Sequence, residues 1–176
     1  MDSSPEGLIK LRDAARMTQK IDPSEVQNPL TRKALDKWND LRGDRRFPSR
    51  KDAAPRELSS LLRNIALIRV MHGGADFEFR VLGDAIIQSQ TGLQIGMTTN
   101  ELDEAYPGYG ALFRTLYQEI CDTRAPQAYR GFYERAADRR SFYHESLLLP
   151  LGADDGVVDH ILVVGVYAMD ADKPLV

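Results

Sequence analysis

The sequence predicts one α+β domain, and three observations carry that expectation. Two short β-type runs, "NIALIRVM" and "DFEFRVLG", stand on either side of Gly73-Gly74. A central stretch follows with apolar residues at helical intervals, and three further β-type segments, near 127–135, 141–151 and 157–168, close the chain. With 176 residues there is room for one substantial core and an appended segment, but not comfortably for two domains. The expected division is an N-terminal arm at 1–28, flanking helices at 29–63, a core at 64–170 and a tail at 171–176.

Composition narrows the function classes. The chain is 43% hydrophobic with a net charge of -3, so it offers no global attraction to phosphate, and no nucleic-acid partner is expected. Cys121 is the single cysteine, which excludes an intrachain disulfide and a multi-cysteine metal site. There is neither a signal-peptide pattern nor an apolar run of 18 residues, so cytoplasmic localisation without membrane insertion is expected.

The polar arm carries Leu8, Leu11, Ala14 and Ala15, enough for a short helix separate from the core. Asn28-Pro29 then signals a helix start, because Asn accepts from exposed amides and Pro suits the first turn. Leu30, Ala34, Trp38 and Leu41 fall on one stripe, Gly43 is the stop, and the stripe is the expected dimer or partner surface. The basic loop "RGDRRFPSRKD" comes next, with Asp52 placed to cap a helix bearing Leu58, Leu61 and Leu62.

The first two β runs form a hairpin across Gly73-Gly74. In the second, Phe77, Phe79 and Val81 share one side, and Glu78 and Arg80 the other. Gly83 turns the chain, Asp84 is placed to cap a short helix with Ile86 and Ile87, and Gly92 ends it. A helical turn is expected near Glu101, and a longer helix through Tyr109, Leu112, Phe113, Leu116 and Ile120 stops before Pro126. Asp154-Asp155-Gly156 joins the last two strands as a tight turn.

This order, with Gly83, Asp84, Ile86 and Gly92 after the second strand, resembles the PAS sensor fold. More narrowly, "WNDLRGDRRFPSRKD", "FEFRVLGDAI" and "ESLLLPLGADDGVVDHILV" resemble a stand-alone PAS-type family widespread in alphaproteobacteria, over about residues 35–168. The resemblance implies a five-stranded antiparallel sheet in the order 2-1-5-4-3, with short helices on one face. A nearly continuous apolar last strand suits a central position there, and the N-terminal helix can cover the opposite face. The resemblance also implies a homodimer and two-component, cell-cycle or motility signalling, with a histidine kinase or regulator as partner.

Candidate chemistry is sparse. The pocket candidates are Phe79, Ile87, Tyr109, Phe113, Leu116, Tyr133, Tyr143 and His144, within an aromatic set that also includes Tyr129, Phe132 and Phe142. Helix spacing and strand alternation satisfy an ordinary core equally well, so the choice between pocket and core stays open. Cys121 in "EICDTR" lacks the Asn-Cys-Arg context of a flavin-adduct photosensor, and His144 has no accompanying haem signature, so the cofactor is unknown. His72, His144 and His160 have no close-spaced metal partner.

Acidic residues interrupt the Arg42, Arg45, Arg46, Arg50, Lys51 and Arg56 cluster, which suits a paired, solvated loop. No catalytic motif is found and no enzyme is expected. The primary expectation is a sensory or regulatory protein that responds to a small molecule or a protein partner. The alternative is a small α+β enzyme or carrier with a cone-shaped pocket, using His144 and a carboxylate.

Overall fold

The computed structural model describes residues 18–168, except 136, 137, 139 and 155. Its centre is an antiparallel sheet of β1 (Gln19–Ile21), β2 (Ile65–Met71), β3 (Asp76–Leu82), β4 (Gln127–Glu134), β5 (Ser141–Leu151) and β6 (His160–Ala168). The spatial order is β1-β4-β5-β6-β2-β3. Helix α1 (Pro29–Arg42) packs on one face, and α2 (Asp84–Ser89), α3 (Thr99–Ala105) and α4 (Tyr109–Thr123) lie toward the other.

Read from the β3 edge, the five expected strands stand in the expected order. The sixth, β1, pairs Gln19 with Arg130 and Ile21 with Ala128. Three residues carry too little alternation to announce a strand. This corrects the arm at 1–28: from Thr18 onward the segment belongs to the core, with Val26 at 2% exposure. The expected short helix at residues 8–15 and the tail at 171–176 lie outside the described residues.

The α1 boundaries follow from local chemistry. The Asn28 side chain accepts the Leu30 N–H at 2.8 Å, Pro29 occupies the first turn, and Gly43 stops the helix at φ 55°. Its inward stripe is Thr31, Ala34 and Trp38, and the Trp38 indole N–H donates to the Pro150 carbonyl at 2.9 Å. The expected partner surface is therefore corrected. Ala34 and Trp38 are buried within the chain at 2% and 5% exposure, and Leu30 and Leu41 are half-buried. The sheet face opposite the short helices needs an apolar cover, and this stripe supplies it.

Buried Glu145 fixes the start of α1 to the sheet. Its carboxylate accepts the backbone N–H groups of Gln27 at 2.9 Å and Asn28 at 3.0 Å, the Thr31 hydroxyl, and the Arg130 guanidinium at 2.8 Å. Burial opposes the charge, but the hydrogen bonds from Thr31, Gln27, Arg130 and Asn28 outweigh it and lower the carboxyl pKa.

Two expected caps are also corrected. Asp52 reaches back, accepting the Ser49 N–H and hydroxyl, each at 2.8 Å, while the following 3₁₀ turn at Ser59–Asn64 starts without a side-chain cap. Asp84 sits in the first turn of α2, and Gly83 holds the capping position. The backbone approaches too closely there for any side chain: a Cβ on Gly83 would lie 2.4 Å from the Leu62 carbonyl oxygen.

Helix α2 ends at Ser89, before Gly92. The turn near Glu101 is α3, opened by reciprocal Thr98 and Glu101 hydrogen bonds and by Asp76, which accepts from the Thr99 hydroxyl at 2.6 Å. The last strand begins at His160, later than the expected 157. In the connection before it, Asp154 accepts from the Gly156 and Val157 N–H groups, while the middle residue of the expected Asp154-Asp155-Gly156 turn lies outside the described residues.

Candidate functional site

Between the sheet and α4 lies a cavity of about 200 Å³. The pleat of the sheet decides which strand residues reach it, since alternate side chains point to one face. Tyr129 and Tyr133 of β4, His144, Ser146 and Leu148 of β5, and Val163 and Tyr167 of β6 form the floor. Helix α4 closes it with Tyr109, Leu112, Phe113, Leu116 and Tyr117. Ser89 to Thr91, after α2, and Thr18, before β1, complete the walls, together with Arg135.

Register explains how a histidine and a tyrosine fit side by side. His144 stands opposite Gly131 on one neighbouring strand and Tyr167 on the other. Tyr167 lies back over Gly165, where a Cβ would meet its hydroxyl oxygen at 2.3 Å. The cross-strand partner of Gly165 is Ser146, with which the Tyr167 hydroxyl hydrogen-bonds, as it does with Gln90 and Ser89.

The polar groups in this apolar space are mostly partnered. Tyr109 donates to Gln90 Oε1 at 2.5 Å, and Tyr133 to the Ser89 carbonyl at 2.7 Å. His144 shares one hydrogen bond with Ser146 Oγ through Nδ1 at 2.8 Å and another with Thr18 Oγ1 through Nε2 at 2.9 Å. Burial pushes the imidazole down to about 4, and the neighbouring Glu145 only partly opposes this. The ring is neutral at pH 7. Burial, helped by Glu119, pushes the Tyr129 phenol up to about 12.

Five sequence candidates meet at the cavity: Tyr109, Phe113, Leu116, Tyr133 and His144. Three do not. Phe79 is 1% exposed and packs edge-on to Phe113 at 5.9 Å, one layer behind the wall. Ile87 is 45% exposed, because the phase of α2 turns Ile86 inward instead. Tyr143 is one residue out of phase with His144 and meets Phe132 on the opposite face at 4.8 Å.

Sequence reasoning missed Tyr117, Ser146, Tyr167, Gln90 and Thr18. Tyr117 lies one helical turn beyond Phe113, and Ser146 two strand residues beyond His144, so both had a periodic signal. Gln90 and Thr18 had none, being loop residues delivered by tertiary structure.

The acid-base alternative needs a carboxylate beside His144, and no aspartate or glutamate is among the described lining residues. Glu145, next in sequence, points to the α1 face. Cys121 is half-buried outside the cavity lining, its thiol pushed up to about 11 by burial and by Asp122. No cluster of three potential metal ligands occurs among the described residues. In the basic loop, Arg45 pairs with Asp52 at 2.9 Å.

Comparison with family models matches the PAS domain over residues 26–168. The chain belongs to the PAS domain family. Among solved structures it is similar to an RNA-binding light-oxygen-voltage receptor, with 15% identity and a TM-score of 0.44. That match covers 68% of this chain and 34% of the receptor chain, so it spans about a third of the receptor. A sensory box sensor histidine kinase from Vibrio cholerae matches at 12% identity and a TM-score of 0.40, covering 65% of this chain and 90% of that one. Comparison with curated proteins gave no significant match. The fold and family are those of a PAS domain, and no helix among the described residues is long and apolar enough to cross a membrane.

Proposed function

We propose that this protein is a cytoplasmic PAS regulator that binds a small molecule between the sheet and α4 and passes the event to a protein partner without chemical turnover. The observation that carries this reading is the cavity's link to the N-terminal flank: Thr18, immediately before β1, bonds His144 inside it. A ligand that replaces the Thr18 hydroxyl at His144 favours a different docking of β1. Such unequal affinity for two arrangements is the condition for signalling. A histidine kinase, a regulator or a second copy of the chain is the class of recipient proposed.

The test is hydrogen exchange of residues 18–28, with and without a small-molecule extract of cells, on wild type and on Leu116→Trp, which fills the cavity. Exchange is expected to change in the wild type alone. An unchanged wild type, or an equal change in both proteins, counts against the proposal.

A further inference from the structure

Five tyrosines reach the cavity, and four of their hydroxyls have partners within the protein. Tyr109 bonds Gln90, Tyr129 bonds Gln127, Tyr133 bonds the Ser89 carbonyl, and Tyr167 bonds Gln90, Ser89 and Ser146. Tyr117 is the exception: it is 3% exposed, and its hydroxyl has no hydrogen-bond partner among the described residues. Its ring is held by an edge contact to Phe77 at 5.4 Å and by stacking on Phe113 at 5.9 Å, so the hydroxyl has little freedom to seek water elsewhere. A hydroxyl that opens onto the cavity without a partner in the protein is available to hydrogen-bond a polar atom of a bound guest.

Charge and size narrow the class. The described lining contains no aspartate, glutamate or lysine. Arg135 is already matched by Asp138 at 2.9 Å, and both ring nitrogens of His144 are engaged by hydroxyls. An ionised ligand would lose its water and find no unpaired counter-charge. An apolar cavity of about 150 Å³ accepts benzene, so about 200 Å³ suits one substituted ring or two fused rings. The aromatic walls favour a planar guest through stacked and edge contacts.

We propose that the cavity selects an uncharged aromatic compound of one or two rings bearing a hydrogen-bonding heteroatom, and that the Tyr117 hydroxyl recognises the heteroatom. This rests on the sensory reading above and specifies its ligand.

The experiment titrates four ring compounds of similar size, p-cresol, toluene, benzoate and benzylammonium, into wild type and Tyr117→Phe by calorimetry. In the wild type, p-cresol is expected to bind about tenfold more tightly than toluene, and the two charged rings about a hundredfold more weakly than p-cresol. Tyr117→Phe brings p-cresol to the toluene level and leaves toluene unchanged, while its melting temperature stays equal or rises because no internal hydrogen bond is lost. Charged rings binding as well as p-cresol, or equal loss of p-cresol and toluene in the variant, overturn the proposal. If all four probes fail while the cell extract still alters exchange at residues 18–28, the ligand class is wrong and the sensory reading survives. If the extract is also without effect, both fall.

Discussion

Thr18 Oγ1 lies 2.9 Å from His144 Nε2, across 126 residues of chain, and joins the first described residue to the floor of the cavity. His144→Phe removes this bond and the Ser146 bond while keeping a ring in place. Its expected effect is faster exchange in residues 18–21, with the α1 amides unchanged. Uniform acceleration over both segments would mean that Thr18 has no special link to the cavity.

The same histidine makes stability depend on acid. Its folded pKa of about 4 lies below the ordinary value of 6.5, so the unfolded chain binds more protons between those limits. Stability is therefore intact above about pH 6.5 and falls as pH drops toward 4, by up to about 3 kcal/mol from this group. Glu145, held below the ordinary carboxyl value by its hydrogen bonds, acts in the same direction, since its contribution is lost on protonation. His144→Phe should flatten the part of the profile between pH 6.5 and 5. An NMR titration that finds His144 protonating near 6.5 would contradict the assignment.

Glu145→Ala leaves half-buried Arg130 and the Gln27 and Asn28 amides without their shared, buried acceptor. Destabilisation of about 3–5 kcal/mol is expected, as for breaking a buried ion pair. Exchange of the Gln27 and Asn28 amides reports where the loss falls. A loss below about 1 kcal/mol, the scale of a surface pair, would show that the site is solvated.

Gly165→Ala places a methyl group against the Tyr167 ring and hydroxyl. A cost of about 1–3 kcal/mol is expected from overpacking. Combining it with Tyr167→Leu should cost less than the sum of the single changes, because the clash is shared. Strict additivity in denaturant melts would place Tyr167 elsewhere.

Trp38 is the only tryptophan and is 5% exposed, so its fluorescence reports on the α1–sheet contact. Emission should be blue-shifted in the folded protein and move red on unfolding. Trp38→Ala should cost about 3–5 kcal/mol. A solvent-like emission in the native state would return this helix face to the role of a partner surface.

Much of the fold was legible because strand and helix periods differ. "FEFRV" alternates, whereas Tyr109, Phe113, Leu116 and Ile120 recur by helical turns, and neither pattern fits the other element. The site was legible only in part. Phe113 and His144 carried the right period, but period gives a shared face and not which face looks into a cavity. Tyr143 and His144 were both plausible until β5 was paired, although adjacent strand residues cannot share a wall.

The amino-acid order alone determined the number and type of the main core elements, the hairpin at Gly73-Gly74 and the boundaries of α1 at Asn28 and Gly43, because caps, turns and periodicity act within a few residues. Tertiary structure decided the rest. It drew Gln19–Ile21 into the sheet, turned Trp38 inward, brought Thr18 to His144 and left Tyr117 facing the cavity. Those outcomes depend on contacts between distant segments, whose energies come from burial and hydrogen bonding that no local pattern contains.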